Sequence, residues 1–429
     1  MRIALGFQSI TLKMVAFIIV MMPLLTYYDF PGTEISLVTI LLIIEAAIMM
    51  YCNWKYRAKL FKQEANILSP YIIMTAYIVT ITIFASLLGS NGGKLYIMLA
   101  LILNTINISY MFKLSNNKKE LSEYIIKIYI AVCLILCFVT IGEELVYLFS
   151  GQVRPMKIEF LPLTAEVEKL GYRFGYNRRG SFVGFSPFFS EPSHMAQYLL
   201  PAIVVHLERL KRAPYKSLAS LALIEIAITI STSTLGIIVS FMMIIFYVCM
   251  GTSEAAMKFR RIVILCLPLL IAVFVYFVRD RLFYEADVSS LLSYTSDKST
   301  YRLYRGFAYY AQFPFLNKIF GVGFNNMTSF VNAHNLSYAY EIVSEDVVSE
   351  YLNGISQSLV YGGIIAFVLL IVFFIRLYKY GNSEHRTLVF ALAMLMLTAA
   401  SFLRGMSVFY IFIILALHSK MQNNSELGE

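Results

Sequence analysis

Apolar residues along this chain gather into long runs separated by short polar and charged stretches. A helix needs about 20 mostly apolar residues, within a range of roughly 17 to 25, to cross a bilayer. Runs near or somewhat below that length occur at 12–28, 35–51, 69–88, 95–112, 124–149, 193–207, 216–231, 235–250, 262–278, 355–378, 388–402 and 406–418. The pattern predicts an all-α fold, a polytopic transmembrane helical bundle of about twelve spans. The first run follows a short basic stretch, as in a signal peptide, but no small-x-small cleavage pattern comes after it. It reads as a retained first helix.

Basic residues mark the sides of the membrane, because short cytoplasmic loops retain Lys and Arg. Lys55, Arg57, Lys59 and Lys62 follow the second run, Lys113, Lys118 and Lys119 the fourth, and Arg209, Lys211 and Arg212 the sixth. Lys258, Arg260 and Arg261 follow the eighth, and Arg376, Lys379 and Arg386 the tenth. The alternation predicts both termini in the cytoplasm. The short loops 29–34 and 89–93 carry no Lys or Arg and fall outside. Two long segments, 150–192 and 279–353, fall on the same outer side, where each is expected to contain short helices. The chain thus divides into spans one to five (1–149), a first external loop (150–192), spans six to nine (193–278), a second external loop (279–353) and the last three spans with a cytoplasmic tail (354–429).

Composition agrees: 59% of the 429 residues are hydrophobic and 14% charged, against about 25% charged in soluble chains. The net charge of +9 does not point to nucleic acid, since the basic residues lie in short clusters between apolar runs. The five cysteines lie in or beside apolar runs, which argues against a disulfide framework or a zinc site.

The long loops carry arginines that orientation does not require, among them Arg154, Arg173, Arg178, Arg179, Arg302 and Arg305. Guanidinium stays charged and pairs bidentately with phosphate, so a lipid pyrophosphate at the outer surface fits them as a set. Each alone would equally serve lipid headgroups or the nearby Glu159, Glu166 and Glu168. The first loop ends in Asn177-Arg178-Arg179-Gly180-Ser181-Phe182-Val183-Gly184-Phe185 and then Ser190-Glu191-Pro192-Ser193-His194. Ser ahead of Pro marks a helix start, whose free amides and positive dipole end attract anions. Equally, Ser190 and Pro192 cap the helix and Glu191 answers its dipole.

An Arg-Gly stretch followed by a Glu-Pro-Ser segment leading into a helix resembles the O-antigen polymerase and O-antigen ligase-like glycan transferases. Three further segments are similar to that family: the small-polar turn Ile230-Ser231-Thr232-Ser233-Thr234-Leu235; the stretch from Arg302 through aromatics to Gly321-Val322-Gly323-Phe324; and the Asn353-led start of a Gly-rich helix reaching Gly363. The resemblance covers roughly 178–367. It implies a bacterial cell-surface polysaccharide polymerase in the cytoplasmic membrane, working on polyprenyl-pyrophosphate-linked oligosaccharides to make O-antigen, capsule or exopolysaccharide. It implies no metal, cofactor or nucleotide sugar, and a chain-length regulator and a flippase as partners. On it, Arg178, Arg179, Arg302 and Arg305 would hold the pyrophosphate, Asn353 would bind substrate, and Glu191 or His334 would take the acceptor's proton, with Glu341, Glu345 and Asp346 of the second loop as further candidates. Ligase-type members carry His directly before the Asn of the last motif; here that position is Leu352, which tilts the reading to polymerase.

Two rival classes remain. A flippase or secondary transporter of lipid-linked oligosaccharide would place charges at midplane in related repeats. A metal-dependent transferase would need acidic clusters at outer span ends, and only Glu143-Glu144 comes close. Glu45 and Glu225 lie near the middle of their spans, and Arg404 lies in the last outer turn. The tyrosines and phenylalanines of the second loop suit either sugar stacking or a loop lying on the bilayer.

Overall fold

Long apolar runs have one local way to satisfy their amides in an apolar setting, which is to coil. The computed structural model of the chain describes residues 2–33, 35–56, 62–87, 102–103, 105–106, 118–164, 167, 174–179, 182–210, 213–250, 298–324, 326–336, 352–381, 383–398 and 405–426. Helices α1 (Arg2–Leu25), α2 (Leu37–Tyr56), α3 (Lys62–Leu87) and α4 (Lys118–Ser150) lead to the strands β1 (Tyr176–Arg179) and β2 (Phe182–Phe185). Helices α5 (Pro192–Arg209), α6 (Pro214–Ile230), α7 (Thr234–Met250), α8 (Lys298–Gln312), α9 (Phe315–Phe320) and α10 (Met327–Ala333) follow. The described part closes with α11 (Gly354–Tyr380), α12 (Ser383–Thr398) and α13 (Gly405–Glu426). The expected span 262–278 and nearly all of 95–112 lie outside the described residues.

Among the described residues, three helices are long and apolar enough to cross a membrane: Asn66–Ala85 within α3, Glu120–Ser150 within α4, and Gly354–Tyr380, which is α11. Ile10–Leu25, Leu37–Tyr51, Thr234–Met250 and Gly405–Leu417 are shorter apolar helices. The second half of α11 has apolar residues on both sides: Ala366, Leu370, Phe373 and Leu377 are buried, while Ile364, Val368, Ile371 and Ile375 are exposed. Apolar residues all round mark a helix in lipid or in a protein core, not one facing water.

The described residues are mostly helical, as the pattern of apolar runs predicts, and the stretch between α4 and α5 adds one small sheet, an antiparallel hairpin pairing Tyr176 with Phe185, Asn177 with Gly184, Arg178 with Val183 and Arg179 with Phe182.

The centre of the bundle is α5 and α13. Met195 to Leu207 and Val408 to Leu417 are buried, and the Tyr198 and Phe409 rings stack at 5.1 Å. Both Pro201 and Pro70 remove an amide from their helices, orphaning the carbonyl four residues back. Each orphan is taken up by another helix. The Tyr410 hydroxyl of α13 donates to Gln197 O at 2.8 Å, and Arg376 of α11 donates to Asn66 O and, at 3.1 Å, to Ser69 Oγ. Such repairs are what an apolar surrounding demands. Tyr410→Phe should therefore cost about 1 kcal/mol. Pro201→Ala restores the amide and should shrink that cost, which thermal unfolding of the single and double variants in detergent will measure.

Candidate functional site

The segments singled out by sequence pack into two junctions. At the first, Gly184 of β2 lies directly on the turn between α6 and α7: a Cβ there would stand 2.2 Å from both Ser231 O and Thr232 Oγ1. Only glycine permits that approach. The turn is fully enclosed, with Ser231, Thr232 and Ser233 all buried. The Ser233 hydroxyl accepts from Gly236 N at 3.1 Å, and Gly236 in turn abuts Ala196 of α5. The Arg-Gly hairpin, the small-polar turn and the helix entered through Glu-Pro-Ser are thus joined through two glycines. Thr232 adopts φ +58°, a left-handed conformation that is an outlier for a β-branched residue. Strain of this kind persists where the surroundings dictate it. Thr232→Gly should raise stability by about 1 kcal/mol as the strain is relieved, which melting of the two proteins in detergent checks.

The hairpin is also fastened from outside. Tyr147 of α4 meets Phe185 edge-on at 5.9 Å, and the Glu143 carboxylate accepts from Met156 N, whose carbonyl takes Phe188 N at 3.0 Å. Residues 158–164 are stitched to the α1–α2 connection through Asp29 N to Pro162 O (2.9 Å), Thr164 N to Tyr27 O (3.0 Å) and Ile158 N to the Tyr28 hydroxyl (3.2 Å). The Glu143-Glu144 pair considered as an acidic cluster is therefore, in its first member, a structural tie.

At the start of α5 the cap is Glu191, not Ser190, and its side chain makes no capping bond. Its carboxylate accepts from the Ser193 hydroxyl at 3.1 Å, while Ser190 Oγ pairs with His194 Nδ1 at 3.0 Å. Ser190 is drawn away by a partner one turn on, and a carboxylate at the positive helix end is favourable in its place. The sequence reading gave His194 no role, although the Ser–His spacing of four at a helix start was visible. Its ring lies 5.7 Å from that of Tyr27.

The second junction joins α8, α9 and α11. Asn353 is buried and caps α11, its Oδ1 accepting from Ser356 N at 2.8 Å. Gly306 of α8 sits against that first turn, where a Cβ would meet the Ser356 side chain and Leu352. Arg305, one residue earlier, is 1% exposed with its guanidinium 5.8 Å from the Tyr309 ring centroid. Asn353, Ser356, Gln357 and Ser358 form a buried polar start to an otherwise apolar helix. Nine residues in, α11 kinks at Gly363 (φ 63°, ψ −163°). The carbonyls of Val360 and Tyr361, freed at the kink, accept from Val322 N (2.9 Å) and Gly323 N (3.0 Å). The Gly-Val-Gly stretch and the Gly-rich helix are two halves of one backbone joint.

Of the proposed site residues, Arg305 and Asn353 come together at the second junction, and Glu191 lies at the first. His334 follows the end of α10, exposed, with Nδ1 3.0 Å from Phe330 O and its ring stacked on Phe330 at 4.1 Å; Phe330 in turn meets Phe313, just after α8, at 4.9 Å. The side chains of Arg178, Arg179 and Arg302 lie outside the described residues, as do Glu341, Glu345, Asp346 and Arg404. Glu225, near the middle of its apolar run, accepts from Ser240 Oγ at 3.1 Å across the α6–α7 turn. Glu45 is fully buried, with no hydrogen bond to either oxygen among the described residues. No group of three or more His, Cys, Asp or Glu that could hold a metal ion occurs among the described residues. Neither a family model nor a curated protein matches this chain.

Proposed function

We propose that this chain is a multi-pass protein of the bacterial cytoplasmic membrane, with about twelve spans and both termini in the cytoplasm, that polymerises lipid-linked oligosaccharide repeat units on the outer face. It transfers the growing glycan from polyprenyl pyrophosphate to the non-reducing end of an incoming repeat unit. The acceptor hydroxyl bonds to the anomeric carbon, the bond to pyrophosphate breaks, and the proton passes to Glu191 or His334. The observation that carries this reading is Arg305, a guanidinium buried beside the Asn353-capped start of a long apolar helix. Positive charge fixed in a water-poor setting stabilises a leaving pyrophosphate more than the same charge in water does. Arg178, Arg179 and Arg302 supply the rest of that charge.

A second reading has its own support. The broken helix α11, with a polar, protein-enclosed first half, is the kind of element transporters place at a substrate site, and it favours a flippase. Reconstituted membranes given lipid-pyrophosphate-linked repeat units separate the two. The expected result is a ladder of lengthening products from the unaltered protein, weakened in Arg178→Ala, Arg179→Ala and Arg302→Ala. Repeat units that cross the bilayer without growing longer make the protein a flippase, and transfer of glycan to a different lipid acceptor makes it a ligase.

A further inference from the structure

Segment 314–324, between α8 and α10, is tied into α3 and α11, both long and apolar enough to span. Gly323 lies against the backbone of Thr82 on α3, and Phe324 N donates to the Thr82 hydroxyl at 2.7 Å. Gly321 and Ile319 close on Gly362 and Gly363 of α11, and the Tyr77 hydroxyl of α3 donates to Phe320 O at 3.2 Å. The level of this tie follows from the helices. Arg376 binds Asn66 and Ser69 near the basic end of α11, and Gly363 stands 13 residues away, or about 20 Å at ~1.5 Å per residue. A hydrocarbon slab of about 30 Å that begins near Arg376 still surrounds Gly363. The start of α11, against which α8 packs at Ser356, lies about 10 Å further out.

Backbone at such depth must have its amides and carbonyls satisfied. Here the amides of Lys318, Gly321, Val322, Gly323 and Phe324 all donate within the protein. The carbonyls of Lys318, Phe320 and Val322 accept from Tyr310, Tyr77 and Asn326 side chains. Burial raises the Tyr310 phenol above its ordinary range, so it remains a donor. A loop lying in water has no such requirement. The outward side chains are apolar: Phe315 is 74% exposed, Leu316 65% and Phe320 43%. The helices to which the segment is tied expose apolar side chains as well, Ile73, Ile83 and Phe84 on α3 and Ile364, Val368, Ile371 and Ile375 on α11.

We propose that α9 and the turn after it form a re-entrant wedge seated in the outer leaflet, Phe315, Leu316 and Phe320 meeting lipid acyl chains and Tyr304 of α8 standing at headgroup level. The occupant is lipid because these exposed apolar side chains stand on a segment whose backbone is bonded to α3 and α11, two helices long and apolar enough to span and themselves apolar where exposed. This rests on the membrane part of the reading above and not on the glycan chemistry.

The chain has one tryptophan, Trp54, so Trp54→Phe gives a silent background for single Trp probes at 304, 315, 316, 320 and, on the lipid face of α11, 371. In vesicles of phospholipid brominated along the acyl chain, Leu316→Trp and Phe320→Trp should emit at shorter wavelength and lose most of their intensity, as Ile371→Trp does. Tyr304→Trp should respond more to a headgroup-level quencher. Quenching at 371 without quenching at 315, 316 and 320 overturns the wedge, and no quenching at 371 overturns the membrane reading itself. The unaltered protein provides a check free of any folding defect. A photoactivatable phospholipid should label the peptide containing Phe315 to Phe320, and an unlabelled peptide there, with α11 labelled, counts against the proposal.

Discussion

Gly363→Ala should be the most damaging single methyl in the described structure. A Cβ at this position would lie 2.1 Å from Ile319 O, 2.4 Å from Ile319 C and 2.8 Å from Gly321 N, all of them backbone atoms that cannot rotate away. The residue also holds φ +63°, a region that costs a non-glycine residue about 1–3 kcal/mol. Strain and overpacking together put the loss at roughly 3 kcal/mol or more. It should appear as a large fall in melting temperature and in protein recovered from membranes. Gly142→Ala is the control, because nothing lies within 4 Å of its Cβ site in α4. There the better helix former should be neutral or stabilising by about 0.5–1 kcal/mol. Equal effects of the two substitutions would mean that the kink is not a fixed joint.

Arg305→Ala should abolish elongation, with a fall in rate of about 10²–10³, the loss that follows removal of one fixed donor from a developing negative charge. The side chain is buried, so truncation also removes packing, and stability must be read alongside rate. Arg305→Lys separates the roles. It keeps charge and stem but loses the planar fork that pairs two oxygens at once, so melting should recover while elongation stays well below that of the unaltered protein. Recovery of both would leave Arg305 a general cation, and recovery of neither would make it a packing element of the α8–α11 contact.

How much of this was legible in the sequence differs between kinds of feature. The helix over Gly354–Tyr380 was readable to within a residue or two because its apolar run begins at a capping Asn, and the small-polar turn 230–234 because five short polar or β-branched residues interrupt two apolar runs. The hairpin was missed, since four-residue strands give a weak alternation inside a loop rich in Arg and Gly. The pairing of Ser190 with His194 had a signal in its spacing.

Local rules fixed the helices: side-chain hydropathy and backbone satisfaction act over a few residues, so apolar runs, caps and charged ends could be read directly. What only the tertiary structure decided is where those elements touch. No spacing announces that Gly184 rests on Ser231 and Thr232, that Tyr410 takes the carbonyl freed by Pro201, or that Val322 and Gly323 complete the backbone of α11 at Gly363. These contacts join residues distant in the chain, and they depend on the close approach of two backbones, which a glycine in sequence permits without naming its partner.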